Sequence, residues 1–549
     1  LGLPEHRIRV IAPEVGGGFG SKIHCYPEEA VTSYLAMTLD RPIKWTEERR
    51  ENYLATTHGR DHIVDLEVAA RRDGTILGIR GRCYANLGAY LSTAAPGVPT
   101  ILHGLMMTGC YGIAALDYEV VGVFTNTTPV DAYRGAGRPE ATYAVERLVD
   151  LVAAELKLDP VDVRRKNFIP KTAFPYSVPS GLSYDSGNYE GALDKALQLV
   201  DYGQFRKEQA AARQQGRYLG IGFSTYVEIC GLGPSAVAGA VGFQGGLWDS
   251  ANVRIHPTGK ATVFTGTSPH GQGEETTFAQ IVAEELGIPL DDIEVVHGDT
   301  ARIAMGWGTY GSRSTAVGGT AMLLAARKVK EKARIIAAHL LEASPDDVVF
   351  ANGRFQVKGV PERSKSMQDI ALMANLAWNM PKGIEPGLEE SSFFDPSNFV
   401  YPFGTHVAIV EVDSGTGVVK LLRYVAVDDC GPVINPKIVD GQVHGGVAQG
   451  VAQALWEEAV YDADGQLLTG SLMDYAIPTA ESLPSIETAR TETPTPVNPL
   501  GLKGVGETGT IASTPAVVNA VIDALSPLGI RHIDMPLKPE KIWRLLPTA

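Results

Sequence analysis

The stretch LKGVGETG, residues 502–509, sets a carboxylate, Glu507, inside a glycine-rich turn. Glycine turns usually hold anions on bare backbone N–H groups, and a negative side chain works against that use. What a carboxylate does at such a place is therefore the question the stretch raises, and its glycines let backbone and ligand approach closely. Alone, the same pattern describes a solvated loop residue.

Other stretches offer polar groups in similar turns. GGGFGSK (16–22), with Gly18, Phe19 and Gly20, has free N–H groups but neither the phosphate-loop nor the dinucleotide spacing, so tight turn and anion loop stay equally open. DAYRGAGRPEA (131–141) places Arg134 and Arg138 around Gly135 and Gly137 before a helix. Arg134 reads either as a forked donor to an oxyanion or as a solvated residue of a capping turn. PHGQGEETT (269–277) carries Gln272 between Gly271 and Gly273, while helix capping accounts for Glu274 and Glu275. TYGSRST (309–315) supplies Ser312, Arg313 and Ser314, and GQVHGG (441–446) supplies Gln442. Several such segments together would surround a large polar cofactor with pyrophosphate-like groups. None has His, Cys and carboxylate at metal-ligand spacing, so no metal ligand is assigned and the cofactor must bring its own.

The elements that must position these turns are a mixture of hairpins and helices. DHIVDLEVAARRDGTILGIRGR, ANVRIHPTGKATVFTG and HVAIVEVDSGTGVVKLLRYVAV read as hairpins, and RIRVIAP as an opening strand. EATYAVERLVDLVAAELKL, ETTFAQIVAEELG and GGTAMLLAARKVKEKARIIAAHLLEA have helical periodicity. Without regular β-α alternation, the expected class is α+β, that is, mixed α/β. The Pro-, Ser- and Gly-rich segment 169–188 is the expected linker, dividing the chain into 1–168 and 189–549. Residues 1–10 and 286–295 share the pattern L-G-x-P-x-x-x-I-x-V, and each copy leads to a glycine turn ending in Ser and a cation. A helix precedes the second copy, and for the first copy that position falls before residue 1. The expectation drawn from this is a fragment, or one half of a split subunit.

Net charge −15 argues against nucleic-acid binding. No uninterrupted apolar run reaches the roughly 18 residues of a membrane span. Five scattered cysteines, without a C-x-x-C, fit reduced thiols in a cytoplasmic setting and no iron–sulfur motif in this chain.

GGGFGSK, AYRGAGRPE, GQGEETT, GSRST and KGVGE, in that order, resemble the molybdopterin-binding large subunit of molybdenum hydroxylases, the group of xanthine dehydrogenase, aldehyde oxidoreductase and aerobic carbon monoxide dehydrogenase. The likeness runs from residue 1 to about 540. It implies two elongated cofactor-binding domains with the cofactor at their interface. It further implies that Phe19 and Gly20 sit beside the metal, that Arg134 lies beneath it, and that Gln272 and Gln442 hydrogen-bond the pterin. The turn Ser312–Arg313–Ser314 would wrap the pterin, and Glu507 would be the base that activates a metal-bound hydroxyl. The pterin is expected in its cytosine dinucleotide form. Because this chain has motifs for neither, electrons would leave through a [2Fe–2S] subunit and an FAD subunit. The assembly would be a dimer of heterotrimers, with a separate N-terminal half of the large subunit as a further partner.

Departures from the family pattern limit the substrate. The copper-carrying cysteine of carbon monoxide dehydrogenases is replaced by Gly135, and the purine-gripping and purine-stacking positions of xanthine dehydrogenases by Ile23, Leu102 and Ala136. With Phe223 placed in the same pocket, the expected substrate is an aldehyde or an N-heteroaromatic ring. A copper-free carbon monoxide dehydrogenase-like subunit for another substrate, or a non-catalytic cofactor scaffold, remains as an alternative.

Overall fold

The computed structural model describes residues 1–240 and 242–547. All three expected hairpins form. His62–Ala70 pairs antiparallel with Ile76–Gly88, and Ala115–Phe124 adds a parallel strand to that sheet. Asp249–Ile255 pairs with Ala261–Thr265, in a sheet extended by Ile293–Val296 and Leu388–Phe394. Phe403–Val412 pairs with Val419–Asp429, between Tyr218–Val227 on one side and Ile486–Arg490 on the other. The periodic stretches become the helices Arg138–Leu156, Glu274–Leu286 and Thr320–Leu340. The architecture is mixed α+β.

The opening strand does not form. RIRVIAP makes one isolated bridge, Ile11 to Asp299, and Ala12 N–H donates to the Gly298 carbonyl at 2.7 Å. Its partner is the loop after Ile293–Val296, which supports local bonds and an Arg9–Asp299 ion pair of 2.6 Å, but no ladder. Both copies of the L-G-x-P pattern nevertheless begin alike, with a 3₁₀ turn after the proline at Glu5–Arg7 and at Leu290–Asp292. The segment 169–188 buries Ile169, Val178, Leu182 and Tyr184 in a core shared by residues on both sides of it. It therefore packs against residues on both sides of it.

One contact decides where the site is built. The apolar helix Thr508–Leu525 lies antiparallel along Tyr218–Val227, and Gly220 and Gly222 bring strand and helix backbones together. A Cβ at Gly222 would overlap the Ala516 carbonyl and the Ala520 N–H. By length and composition this helix is apolar enough to cross a membrane, but it is packed inside the protein, which is the ordinary place for a core helix. Because the helix begins just after Glu507, and the strand ends just before Glu228, the same packing sets both carboxylates at one end. Gly222→Ala is expected to lower stability by about 1–3 kcal/mol through overpacking, read as a fall in thermal midpoint. A melting curve superimposable on that of the parent would remove this contact from the account.

Candidate active site

Glu507 is the N-cap residue of Thr508–Leu525, where the helix N-terminus favours a negative charge. Its Oε1 accepts the Gly135 N–H at 2.8 Å and pairs with the Arg138 guanidinium at 2.8 Å. Its Oε2 accepts the Ser312 hydroxyl at 2.9 Å. Burial disfavours the charge, but Arg138 and these hydrogen bonds outweigh it and hold the carboxyl below its ordinary range. About 13% of the side chain stays exposed, enough to meet a ligand.

The loop before Arg138 explains the Gly135 contact. Gly135, Ala136 and Gly137 all have positive φ, 100°, 42° and 83°, and the non-glycine among them is an uncommon conformation. That turn points the Gly135 N–H at Glu507 and starts the helix Arg138–Leu156. Gly504 serves a different need: a Cβ there would overlap Cys230 Sγ and Ser312, so only glycine lets the two turns meet.

Most of the expected turns converge. Arg134 N–H donates to the Phe19 carbonyl at 2.7 Å, and its guanidinium lies 5.4 Å from the Phe19 ring centroid. The same guanidinium donates to the Gly506 carbonyl, to Gln449 Oε1 at 3.1 Å, and to Gln442 O and Oε1, both at 3.0 Å. Arg134 and Arg138 are therefore buried clasps, and the solvated reading of them falls. Gly18 abuts the His270 ring, which joins the first turn to the third. Gln442 sits inside the helix Pro436–Leu455, past its first turn.

Three placements differ from expectation. Arg313 is fully buried, with an ion pair to Asp249 at 2.8 Å and a bond to Gly308 O at 2.8 Å, so it anchors its turn from behind instead of wrapping a ligand. Phe223 lies in the core, edge-on to Tyr202 with ring centroids 5.4 Å apart. Strand alternation is the reason: Gly222 faces the helix, so Phe223 faces the opposite side. Glu274 is buried and accepts from Gln272 at 2.6 Å and Thr309 at 3.1 Å, which is more than capping requires. Of the remaining pocket residues, Leu102 packs on Val98, Ala132 and Ala136, while Ile23 is partly exposed next to the first turn.

A cleft runs between these turns, lined by Gln272, Ser312, Ser314, Asn435, Gln442, and the backbone of Gly504–Gly506. Its donors and acceptors are amides and hydroxyls, and two buried atoms of lining residues, Glu274 Oε2 and Lys503 Nζ, have no hydrogen-bond partner. This set fits a hydrogen-bonding heterocycle with anionic groups, and it does not fit direct coordination of a metal. Away from the cleft, His62, Cys83 and His103 bring ligand-type atoms within 4.8 Å of one another, a grouping that spacing along the chain does not reveal. There His103 Nε2 shares a 2.7 Å hydrogen bond with the Tyr118 hydroxyl, and burial keeps both imidazoles neutral.

Two residues of the site escaped the reading of the motifs. Arg138 was visible only as a neighbour of Arg134. Glu228 had one signal, a lone carboxylate closing the otherwise uncharged strand YLGIGFSTYV.

Fold and cleft together define an enzyme subunit that carries a polar cofactor between glycine turns. Residues 1–168 and 195–484 each match the molybdopterin cofactor-binding domain family. The chain is 45% identical to the carbon monoxide dehydrogenase large chain of Hydrogenophaga pseudoflava, over 99% of its own length and 68% of the relative's. It is 39% identical to the nicotine 6-hydroxylase large subunit of Paenarthrobacter nicotinovorans, over 99% and 67%. The solved structure of quinoline 2-oxidoreductase from Pseudomonas putida 86 superimposes with a TM-score of 0.95 at 39% identity, covering 99% of this chain and 69% of that one. The chain belongs to the molybdopterin-binding large subunits of the molybdenum hydroxylase family, a group of oxidoreductases.

Proposed function

We propose that the chain is the catalytic large subunit of a hydroxylase that oxidises a C–H bond of an N-heteroaromatic ring or an aldehyde. The balance is R–H + H2O → R–OH + 2 electrons + 2 protons, with the electrons leaving through a [2Fe–2S] subunit and an FAD subunit. Glu507 carries the reading: a carboxylate held in its ionised form, partly exposed, and hydrogen-bonded to Ser312 of the cleft wall. The molybdenum cofactor, when bound, supplies the two-electron acceptor. Gln272 and Gln442 would hydrogen-bond its pterin, and Ser312, Ser314 and the 504–506 backbone would line its path. Phe19 and Gly20 would border the metal, and a cytosine dinucleotide is the proposed form.

Within that frame the chain's own groups manage one proton. Glu507 takes it on the oxygen that faces the ligand, while Arg138, Gly135 N–H and Ser312 hold the carboxylate in place. Leu102, packed on the buried Val98, Ala132 and Ala136, is assigned as apolar wall of the substrate pocket, for a flat ring or a small acyl group. Ile23 is assigned to the same pocket. Against carbon monoxide as substrate stands Gly135: it has no side chain to hold copper, and a Cβ there would overlap the Pro139 ring. The nicotine and quinoline enzymes among the relatives favour the heteroaromatic class.

The helix Pro27–Leu39 has no buried residue and exposes Val31, Tyr34 and Leu35 on one side, a face fit for a partner subunit. A cytoplasmic dimer of heterotrimers completes the proposal. The test is metal and nucleotide analysis of the purified complex, followed by a substrate panel. Near-stoichiometric molybdenum, CMP on acid treatment, and turnover of N-heterocycles or aldehydes are expected. Absence of molybdenum and CMP from a freshly isolated complex would leave only a scaffold role, and turnover of carbon monoxide alone would refute the substrate class.

A further inference from the structure

Glu228 sits at the end of Tyr218–Val227, its side chain fully enclosed. Its Oε1 receives Arg138 at 2.9 Å and lies 3.3 Å from the Ser312 hydroxyl, while its Oε2 has no partner. Arg138 and Ser312 are the same two groups that hold Glu507. A serine hydroxyl has one proton to donate, and it is nearer Glu507. One guanidinium therefore faces two carboxylates, one fully enclosed and one partly exposed next to Gly506 and Ser312 of the cleft wall. Arg134, the other buried cation nearby, bonds Gly506 O, Gln449 and Gln442 and neither carboxylate, so Arg138 alone bonds both acids, and Glu228, enclosed and with Oε2 unpaired, is the costlier of the two to ionise.

We propose that Glu228 is the proton-holding partner of Glu507: it carries the pair's single proton, so that Glu507 remains the ionised base. This is a positioning role, exerted through Arg138 and Ser312, and it rests on Glu507 being the base proposed above. The remaining titratable or charged neighbours are Arg138 on the helix Arg138–Leu156, Arg134 before it, Cys230 and Tyr226 on Glu228's own segment, and Glu507 on the facing turn. Burial is the main cause that pushes Glu228 up to about 8, with Glu507 adding to it and Arg138 opposing.

A carboxyl raised from 4.5 to about 8 favours the folded state fully below pH 4.5 and loses that contribution as the pH climbs through 8. Glu228→Gln keeps the shape of the protonated acid and cannot ionise. The thermal midpoint of the full chain is therefore compared with that of E228Q from pH 5.5 to 8.5. The difference, variant minus parent, is expected to grow with pH by about 2–4 °C. In the assembled enzyme, kcat against pH is expected to bend near pH 8 in the parent and in E228D, but not in E228Q. A difference in midpoint that stays constant with pH, or an E228Q variant equally weakened throughout, would mean that Glu228 is an ordinary ionised partner of Arg138, and the proposal would be wrong. Failure of the parent reading looks different: an active Glu507→Gln enzyme would discard Glu507 as the base and leave the melting comparison intact.

Discussion

Glu507→Gln is expected to lower kcat by about 10²–10⁴-fold, the usual contribution of a positioned general base, while leaving the cofactor content of the complex near that of the parent. The amide is isosteric, and its oxygen still accepts the Gly135 N–H that now bonds Oε1 at 2.8 Å. The Arg134 clasp on Gly506 and Gln442 involves the backbone and another side chain, so the cleft keeps its walls. What disappears is the charge, and with it the ion pair to Arg138 and the capacity to take a proton near neutral pH. The measurement is single-turnover reduction of the cofactor, paired with molybdenum analysis. A rate within a few-fold of the parent at equal metal content would remove Glu507 from the chemistry.

Arg138→Met is expected to weaken the folded chain by about 3–5 kcal/mol at pH 7, because it leaves buried carboxyl groups without their cation. Arg138 is 1% exposed and joins Glu228, Glu507 and the Ile229 carbonyl. Its charge is the largest cause that lowers Glu507, so without it Glu507 takes up a proton more readily. A carboxyl held below 4.5 contributes stability above that pH and loses it as the pH falls through its folded value. The penalty of the variant should therefore shrink between pH 7 and pH 4, and the acid limb of its residual activity should move to higher pH. Denaturant unfolding at both pH values decides the matter. An equal penalty at each would assign Arg138 to packing alone.

Both predictions depend on groups that stand far apart in the chain and meet at one end of the strand–helix pair. The turns themselves were legible. Glycines that require positive φ, prolines at helix starts and the hydroxyl or amide beside them are local signals, and the hairpins at RDG, PTGK and SGTG formed as their turns dictate. Where local signals misled, a tertiary contact had overruled them. RIRVIAP has the alternation of a strand but only a loop beside it, and Phe223 looked available to a ligand until its neighbour Gly222 was seen to face the helix. Composition reports solvation only on average, so the burial of Tyr184 and Leu182 in the Pro-rich segment 169–188 depends on what comes to cover them.

By itself, the sequence determined the glycine-rich polar turns, the mixed α+β class and the carboxylate set within LKGVGETG, since each depends on residues within a few positions of one another. The tertiary structure alone decided how that carboxylate is kept ionised. Arg138, Gly135 and Ser312 reach Glu507 from separate elements, and Glu228 shares their bonds from a fourth. Charge sharing in a buried site varies with distance and desolvation, and neither quantity exists until the chain has folded.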